Sequence, residues 1–465
     1  MPRFLAATPD PALIGLPWDV PLAEWEAHHL VALPRGLSRH VVRFIRVGPA
    51  VLAAKEIPEE LAEREYRLLQ DLAHLNTPSV EPVGVVSDRS TPDGIPLDPV
   101  LLTRHLQFSL PYRSLFTPGM RRDTAARLLD AMVVLVVRLH LSGFMWGDLS
   151  LSNILFRRDA GAYAAYLVDA ETGELHPQLS DGQRAGDLAI GRTNIYGDFV
   201  DLQAGGLLES SLDPLTLVDT IETRYAELWQ ELTGAEEFGG DELGRIEKRV
   251  RRLNALGFDV AELDIVTSPD GERVRIQPRV VEAGHHARQL MQLTGLDTEE
   301  HQARRLLNDL AVYKASTHQQ DVDEALVAHE WLTQVFRPVV DAIPPELSRK
   351  RDYAQLYHEI LDYRWYQSQR ESRHVPLLEA TQGYIRDVLQ ALPDEQLSND
   401  GLLRPSDSAR LVNPADPSMG LTDTATDLTP VIDPWEDGAE EIDLAAAGRL
   451  DYAALLARAK SAGQG

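Results

Sequence analysis

The sequence predicts an α+β fold: a small strand-rich lobe, a larger helical lobe, a mainly helical C-terminal domain and an acidic tail. Three observations carry this prediction. Two apolar runs split by a Gly-Pro turn precede an amphipathic helix. A long apolar helix over residues 121–141 is followed by a short polar loop and two more strand-like runs. Beyond about residue 225 helical periodicity dominates. At about 150 residues per domain, 465 residues suggest two or three domains. The expected organisation is an irregular lead-in over 1–30, two lobes over 31–104 and 105–225, a helical domain over 226–395, and a tail over 396–465.

Taken in order, Val41 to Phe44 and Val51 to Ile57 read as a hairpin turning at Gly48-Pro49. Pro58 opens a helix whose apolar face is Leu61, Leu68, Leu69 and Leu72, with acids in its first turn. Val80 to Val86 and Pro99 to Thr103 are further strands. Arg121 to Leu141 is a strong helix with Leu128, Leu129, Met132, Val136 and Leu139 at threes and fours. After the loop Gly143 to Asn153 come strands at Ile154 to Phe156 and Ala165 to Val168. Helical patterns cover Asp241 to Leu256, Thr298 to Lys314, Asp321 to Val340, Asp352 to Gln369 and Pro376 to Leu392. A hairpin, Ala261 to Val266 and Arg273 to Gln277, turns at Asp270-Gly271. Pro393 to Asp443 has six prolines and 13 acids against two bases, which predicts a disordered segment, and Leu444 to Lys460 suggests a short terminal helix.

Composition narrows the chemistry. With 72 acids against 45 bases the net charge is −27, which argues against nucleic acid or an anionic membrane as the main partner. There is no cysteine, so disulfides, thiolate metal sites and cysteine nucleophiles are excluded. No apolar run is long enough to span a bilayer and the N-terminus lacks a signal-peptide pattern, so a cytoplasmic location is expected. Only five of the bases are Lys, and Lys55 is the first of them, alone before Lys248. A single Lys in a strand points to chemistry that wants a compact ammonium rather than a guanidinium fork.

The informative segment is Trp146-Gly147-Asp148-Leu149-Ser150-Leu151-Ser152-Asn153, between a long helix and an apolar strand. An Asp followed five positions later by an Asn fits the catalytic loop of phosphoryl transfer. One carboxylate orients the acceptor hydroxyl, while a neutral amide oxygen holds magnesium without adding another full charge beside the phosphates. Asp169, in Val168-Asp169-Ala170-Glu171, offers a second metal-binding carboxylate at the end of the next strand. Upstream, Lys55 sits in Ala53-Ala54-Lys55-Glu56, and the following helix offers Glu65, with Glu63 the nearby alternative. A strand Lys held by a helix Glu can reach the α- and β-phosphates of ATP.

On these residues the sequence resembles the protein-kinase-like superfamily, and more narrowly its lipopolysaccharide kinase branch. Within that branch it is similar to an uncharacterised bacterial family that joins such a domain to a C-terminal domain of unknown function. The resemblance covers roughly residues 30–220, and within that family the helical domain extends it to about 395. It implies a bilobal kinase fold with ATP and Mg between the lobes, Lys55 on the phosphates, Glu65 positioning it, Asp148 as catalytic base, and Asn153 and Asp169 as metal ligands. Asp187 would tie a helix to the catalytic loop. The phosphate-covering loop falls at Pro34 to His40, with Gly36 and Ser38 as its candidate contacts; one Gly stands there in place of three. The His-Arg-Asp triplet is here Trp146-Gly147-Asp148, Ser150 replaces a Lys, and Asp169-Ala170-Glu171 lacks the Phe-Gly.

The expected activity is ATP- and Mg-dependent phosphotransfer to a hydroxyl of a small molecule or glycan, a sugar or glycolipid precursor by resemblance, with a protein acceptor as a further option. The alternative is an ATP-binding pseudokinase scaffold that recruits partners through its helical domain and tail. A basic stretch, residues 245–288, carries Arg245, Lys248, Arg249, Arg251, Arg252, Arg273, Arg275, Arg279 and Arg288, and would take an anionic partner or the acidic tail; a solvated, ion-paired face is the plainer reading. His285, His286, His301, His318, His329 and His358 match no zinc spacing and read as dispersed surface residues. Trp331, Phe336, Tyr357, Trp365 and Tyr366 read as helix-packing residues, and Pro434-Trp435-Glu436-Asp437 as a candidate docking motif.

Overall fold

A computed structural model describes residues 2–395 except 7–9, 32, 34–38, 49, 117–119, 121, 210, 235, 240–257 and 268–272; for 236–239, 258–267 and 273–283 it describes the backbone alone. The protein is α+β. The expected helix at 241–256, the turn at Asp270-Gly271, the glycine-loop residues Gly36 and Ser38, and the tail from 396 onward lie outside the described residues.

The first lobe is built on a five-stranded antiparallel sheet. Its strands are β1 (Arg3–Leu5), β2 (Val41–Val47), β3 (Ala50–Glu56), β4 (Pro82–Ser87) and β5 (Val100–Arg104), in spatial order β1-β4-β5-β3-β2. The lead-in is therefore not merely irregular: it supplies the edge strand β1, paired Arg3 to Ser87. Its Trp18, Leu22 and Trp25 are buried on Ile45, Leu52 and Leu102 of the sheet. Period-two alternation along β3 sends Leu52 and Ala54 to that tryptophan side and Ala53 and Lys55 to the opposite, cleft side. Helix α1 (Glu59–His74) covers the cleft side, packing Ala62 and Tyr66 against Val85 and Leu101. Its buried face is Ala62, Glu65, Tyr66, Leu69 and Leu72, one residue out of phase with the expected Leu61 and Leu68 and with a glutamate in it.

The second lobe is centred on α2 (Arg122–Leu141), apolar on most sides because helices and a hairpin surround it. That hairpin pairs β7 (Ile154–Asp159) with β8 (Ala162–Leu167), and β6 (Ser109–Pro111) adds a third strand on β7. Its turn residues Ala160 and Gly161 both have positive φ, 48° and 85°, as a type I′ connection requires. The N–H of Val80 donates to Leu167 O at 2.9 Å, stitching the first lobe to the end of β8.

Two long helices, α3 (Asp181–Ala204) and α4 (Pro214–Thr233), fill a region in which periodicity predicts no elements and only the resemblance implies a helix, near Asp187. The buried face of α3 is Asp187, Gly191, Ile195, Phe199 and Leu202, so an Asp and a Gly interrupt the apolar period. Helix α4 begins at a capping Asp213, whose side chain accepts from Thr216 N, with Pro214 at its first position. The expected boundary at 225 falls inside α4, whose Tyr225, Leu228 and Leu232 belong to the second lobe's core.

A three-stranded sheet follows, β9 (Glu236–Gly239), β10 (Phe258–Thr267) and β11 (Arg273–Ala283), with β11 central; both hairpin strands are longer than expected. The C-terminal helices are α5 (His285–Thr294), α6 (Glu300–Ser316), α7 (Glu324–Trp331), α8 (Tyr353–Glu371) and α9 (Leu377–Asp387). Helix α7 runs through a π-helical turn at Leu332–Phe336 into Arg337–Asp341, which keeps Trp331 and Phe336 on one buried side. Asp309 accepts from Trp331 Nε1 at 2.8 Å and Tyr357 OH at 2.7 Å, satisfying both polar tips in the core. Trp365 is exposed instead of packed, because the buried positions of α8 stop at Leu361.

The helical domain grips the tip and side of the β7–β8 hairpin. Asp159 accepts from the His301 ring at 2.7 Å and from the N–H groups of His301 and Gln302 at the start of α6. Arg157 pairs with Glu299 at 2.8 Å, Tyr166 OH donates to Glu299, and Arg158 and Arg351 both pair with Glu395. The histidines are thus not uniformly surface residues: His301 serves this contact, and His358 is buried beside Asp362. Among the described residues no helix is long and apolar enough to cross a membrane.

Candidate functional site

Three carboxylates converge on one ammonium at the back of the cleft between the lobes. Lys55 Nζ donates to Asp169 Oδ2 at 2.8 Å, Glu65 Oε2 at 3.0 Å and Glu171 Oε2 at 3.1 Å. Burial works against the charge on Lys55, but Glu65 and Asp169 outweigh it and hold the group further toward the ammonium form than in water. Burial and the neighbouring Asp169 push Glu65 up to about 7, against the pull of Lys55. Glu65, not Glu63, faces the strand; Glu63 is engaged outside by Arg3 and Arg67. The other Glu65 oxygen accepts from Ala170 N at 3.3 Å, so α1 is tied both to β3 and to the segment carrying Asp169.

The loop from Trp146 to Asn153 is held residue by residue on one face of α3. Asp187 accepts from the N–H groups of Trp146 and Gly147 at 2.8 and 2.7 Å and contacts the His140 ring at 3.1 Å. One turn on, Gly191 lies so close to Leu149 that a Cβ would stand 2.5 Å from its Cδ2. Asn194 Nδ2 donates to Asp148 Oδ1 at 3.1 Å and Asp198 accepts from Leu151 N at 2.8 Å. Positions 187, 191, 194 and 198 follow the helical repeat, which is why one face can meet a whole loop. Gly147 takes φ +77°, and Trp146 Nε1 donates to Asp169 O, joining this loop to the segment after β8.

Asn153 Nδ2 donates to both the carbonyl and the carboxylate of Asp148, at 3.0 and 3.2 Å. Its amide nitrogen is committed, leaving the amide oxygen as the atom able to serve a metal. Together with Asp169 this is a hard-oxygen donor set of the kind magnesium takes. Among the described residues, Glu65, Asp169 and Glu171 are the acidic or imidazole side chains whose ligand atoms cluster tightly, within 4.8 Å of one another. The cleft measures about 1150 Å³ and is lined by Ala53, Lys55, Val80, Leu101, Asp148, Asn153, Leu155, Val168 and Asp169. Its apolar end adjoins His105, whose pKa burial lowers to about 4, and its polar end adjoins Asn194 and Asp198.

Lys55, Glu65, Asp148, Asn153 and Asp169 therefore all meet at this cleft, while Gly36 and Ser38 fall outside the described residues. Sequence reasoning passed over Asn194 and Asp198. Their signal was the i, i+7, i+11 relation to Asp187, invisible without knowing that α3 is a helix. In the sequence Glu171 stands only as a departure from the usual triplet, yet it contacts Lys55 directly.

Comparison with known proteins adds two findings. Residues 227–389 match the family described as "Domain of unknown function (DUF4032)". A solved structure titled "WaaP in complex with acyl carrier protein" is similar at 13% identity, covering 49% of this chain and 99% of that one, with a TM-score of 0.31. No curated protein matches the chain.

Proposed function

We propose that the protein is an ATP- and magnesium-dependent phosphotransferase with a kinase-like bilobal body, acting on the hydroxyl of a small-molecule or glycan acceptor. The observation that carries this reading is Lys55, bonded at once to Glu65 and Asp169 in a cleft that also holds Asp148 and Asn153. Apolar Ala53, Val80, Leu101, Leu155 and Val168 offer two walls for a purine ring, and Lys55 lies where the phosphates would follow. Glu65 positions the ammonium. Asn153 and Asp169 would hold magnesium, which supplies charge neutralisation for the phosphates.

Asp148 stands at the polar end, its carboxylate oriented by Asn153 and Asn194. In the proposed reaction it accepts the proton of the acceptor hydroxyl as that oxygen bonds to the γ-phosphorus, and the bond from γ-phosphorus to the bridging oxygen breaks to release ADP. The acidic polar end, with Asp148, Asp198 and Asp201, favours a polyhydroxylated acceptor over a strongly anionic one.

The test has two arms. Magnesium-ATP should raise the melting temperature of the purified protein; no shift would remove the nucleotide reading. Labelled γ-phosphate should then pass to a member of a sugar, lipid and protein acceptor panel at a rate above an Asp148→Asn control. Binding without transfer above that control would favour the ATP-binding scaffold instead.

A further inference from the structure

Glu171 lies among the nitrogen-bearing side chains of Lys55, His40 and Arg39. Its Oε2 lies 3.1 Å from Lys55 Nζ and 2.9 Å from His40 Nε2, and its Oε1 lies 3.6 Å from the Arg39 guanidinium. The carboxylate is buried, whereas Arg39 is largely exposed at the cleft mouth. Lys55 belongs to β3, while Arg39 and His40 immediately precede β2, on the side where the sequence places its glycine-poor phosphate cover. Lysine, imidazole and guanidinium donors gathered around one carboxylate make the same kind of site that a phosphate oxygen uses.

We propose that Arg39, His40 and Lys55 form a phosphate-binding clamp whose donors Glu171 occupies in the structure described here and for which the nucleotide's phosphates compete. This rests on the nucleotide reading above and deepens it. Backbone pairing explains how the exchange can happen without disturbing the metal-binding carboxylate. Glu171 N–H donates to Asp169 Oδ1 at 3.0 Å, so the main chain stays anchored while the side chain turns away. Arg39 and His40 then supply by side chain what a glycine-rich loop supplies by backbone N–H groups. Glu171 sets the threshold for entry, because an anion must outcompete it.

The test is calorimetric titration of the full chain, without magnesium, using ATP, adenosine and inorganic tripolyphosphate as three separate probes. Glu171→Gln should tighten ATP and tripolyphosphate by about tenfold and leave adenosine unchanged, the scale of one charge-assisted contact. The double variant Arg39→Ala/His40→Ala should weaken both anionic probes by a similar factor while adenosine holds, which also reports that the variant is folded. The clamp is overturned if Glu171→Gln leaves ATP and tripolyphosphate binding unchanged or weakened, as a metal-holding or structural Glu171 would give. It is equally overturned if the double variant binds them like the wild type. Tripolyphosphate binding that follows both substitutions without any adenosine binding would support the clamp and sink the nucleotide reading, so the two fail separately.

Discussion

Asp159 and His301, 142 residues apart in sequence, are joined through the imidazole Nδ1 at 2.7 Å, and the same carboxylate caps the start of α6. The pair connects the tip of the hairpin between Asn153 and Asp169 to the helical domain. Asp159 is 2% exposed, so removing its carboxylate leaves buried donors with no partner. Asp159→Ala should lower unfolding free energy by about 3 kcal/mol, read by urea denaturation. A change below about 0.5 kcal/mol would mean the contact is ornamental.

The same interface should make stability fall as the solution turns alkaline. Burial disfavours a charged His301, but Asp159 outweighs it and raises its pKa above the ordinary 6.5. Its contribution is therefore complete below 6.5 and disappears as pH rises through the higher folded value. Glu299, raised by burial to about 7 from 4.5, works in the same direction, since ionising it between those values costs the folded state. Asp159 acts at the other end: burial raises it, but His301 and the backbone donors prevail and lower it below 3.8, so its share is lost only in stronger acid. Melting temperatures across pH 5 to 9 should decline, and His301→Gln should flatten the upper limb of that decline.

Glu65 gives a second pH test. Its folded pKa of about 7 exceeds the ordinary 4.5, so its protonated form is favoured in the fold and stability drops as pH rises between those values. Glu65→Gln should remove its own share of that slope, leaving the share Glu299 contributes over the same window, and also loosen Lys55, weakening magnesium-ATP by roughly tenfold. An unchanged slope would show that Glu65 does not titrate there.

Asn194 holds Asp148 Oδ1 without lining up on Lys55 or Asp169. Asn194→Ala should therefore lower kcat by roughly 10- to 100-fold with little change in the nucleotide KM. A fall in nucleotide affinity of the same size would assign it a different task.

Gly143 tests the backbone itself. It has φ +84°, and a Cβ there would stand 2.0 Å from His176 O. Gly143→Ala should cost at least ~2 kcal/mol, visible as a lower melting temperature or loss of soluble protein.

Much of the first lobe and the C-terminal helices could be read from periodicity, because Leu52, Ala54, Leu128 or Tyr357 follow the simple rule of apolar residues facing a core. Helix α3 could not, since its buried face includes Asp187 and Gly191, chosen for what they do to the loop below rather than for burial. Strand β1 was hidden by its length of three residues and by having its partner, β4, about eighty positions away. At the cleft, Lys55, Glu65, Asp148, Asn153 and Asp169 were legible because their order and spacing carry chemistry. Glu171, Asn194 and Asp198 act through tertiary neighbours, which spacing along the chain does not encode.

Because Asp187, Gly191, Asn194 and Asp198 each meet a different part of the loop from Trp146 to Leu151, that loop has little freedom left to lose. The entropy of ordering it is spent when the chain folds rather than when a ligand arrives. Association with this wall of the cleft should then carry a small entropic penalty.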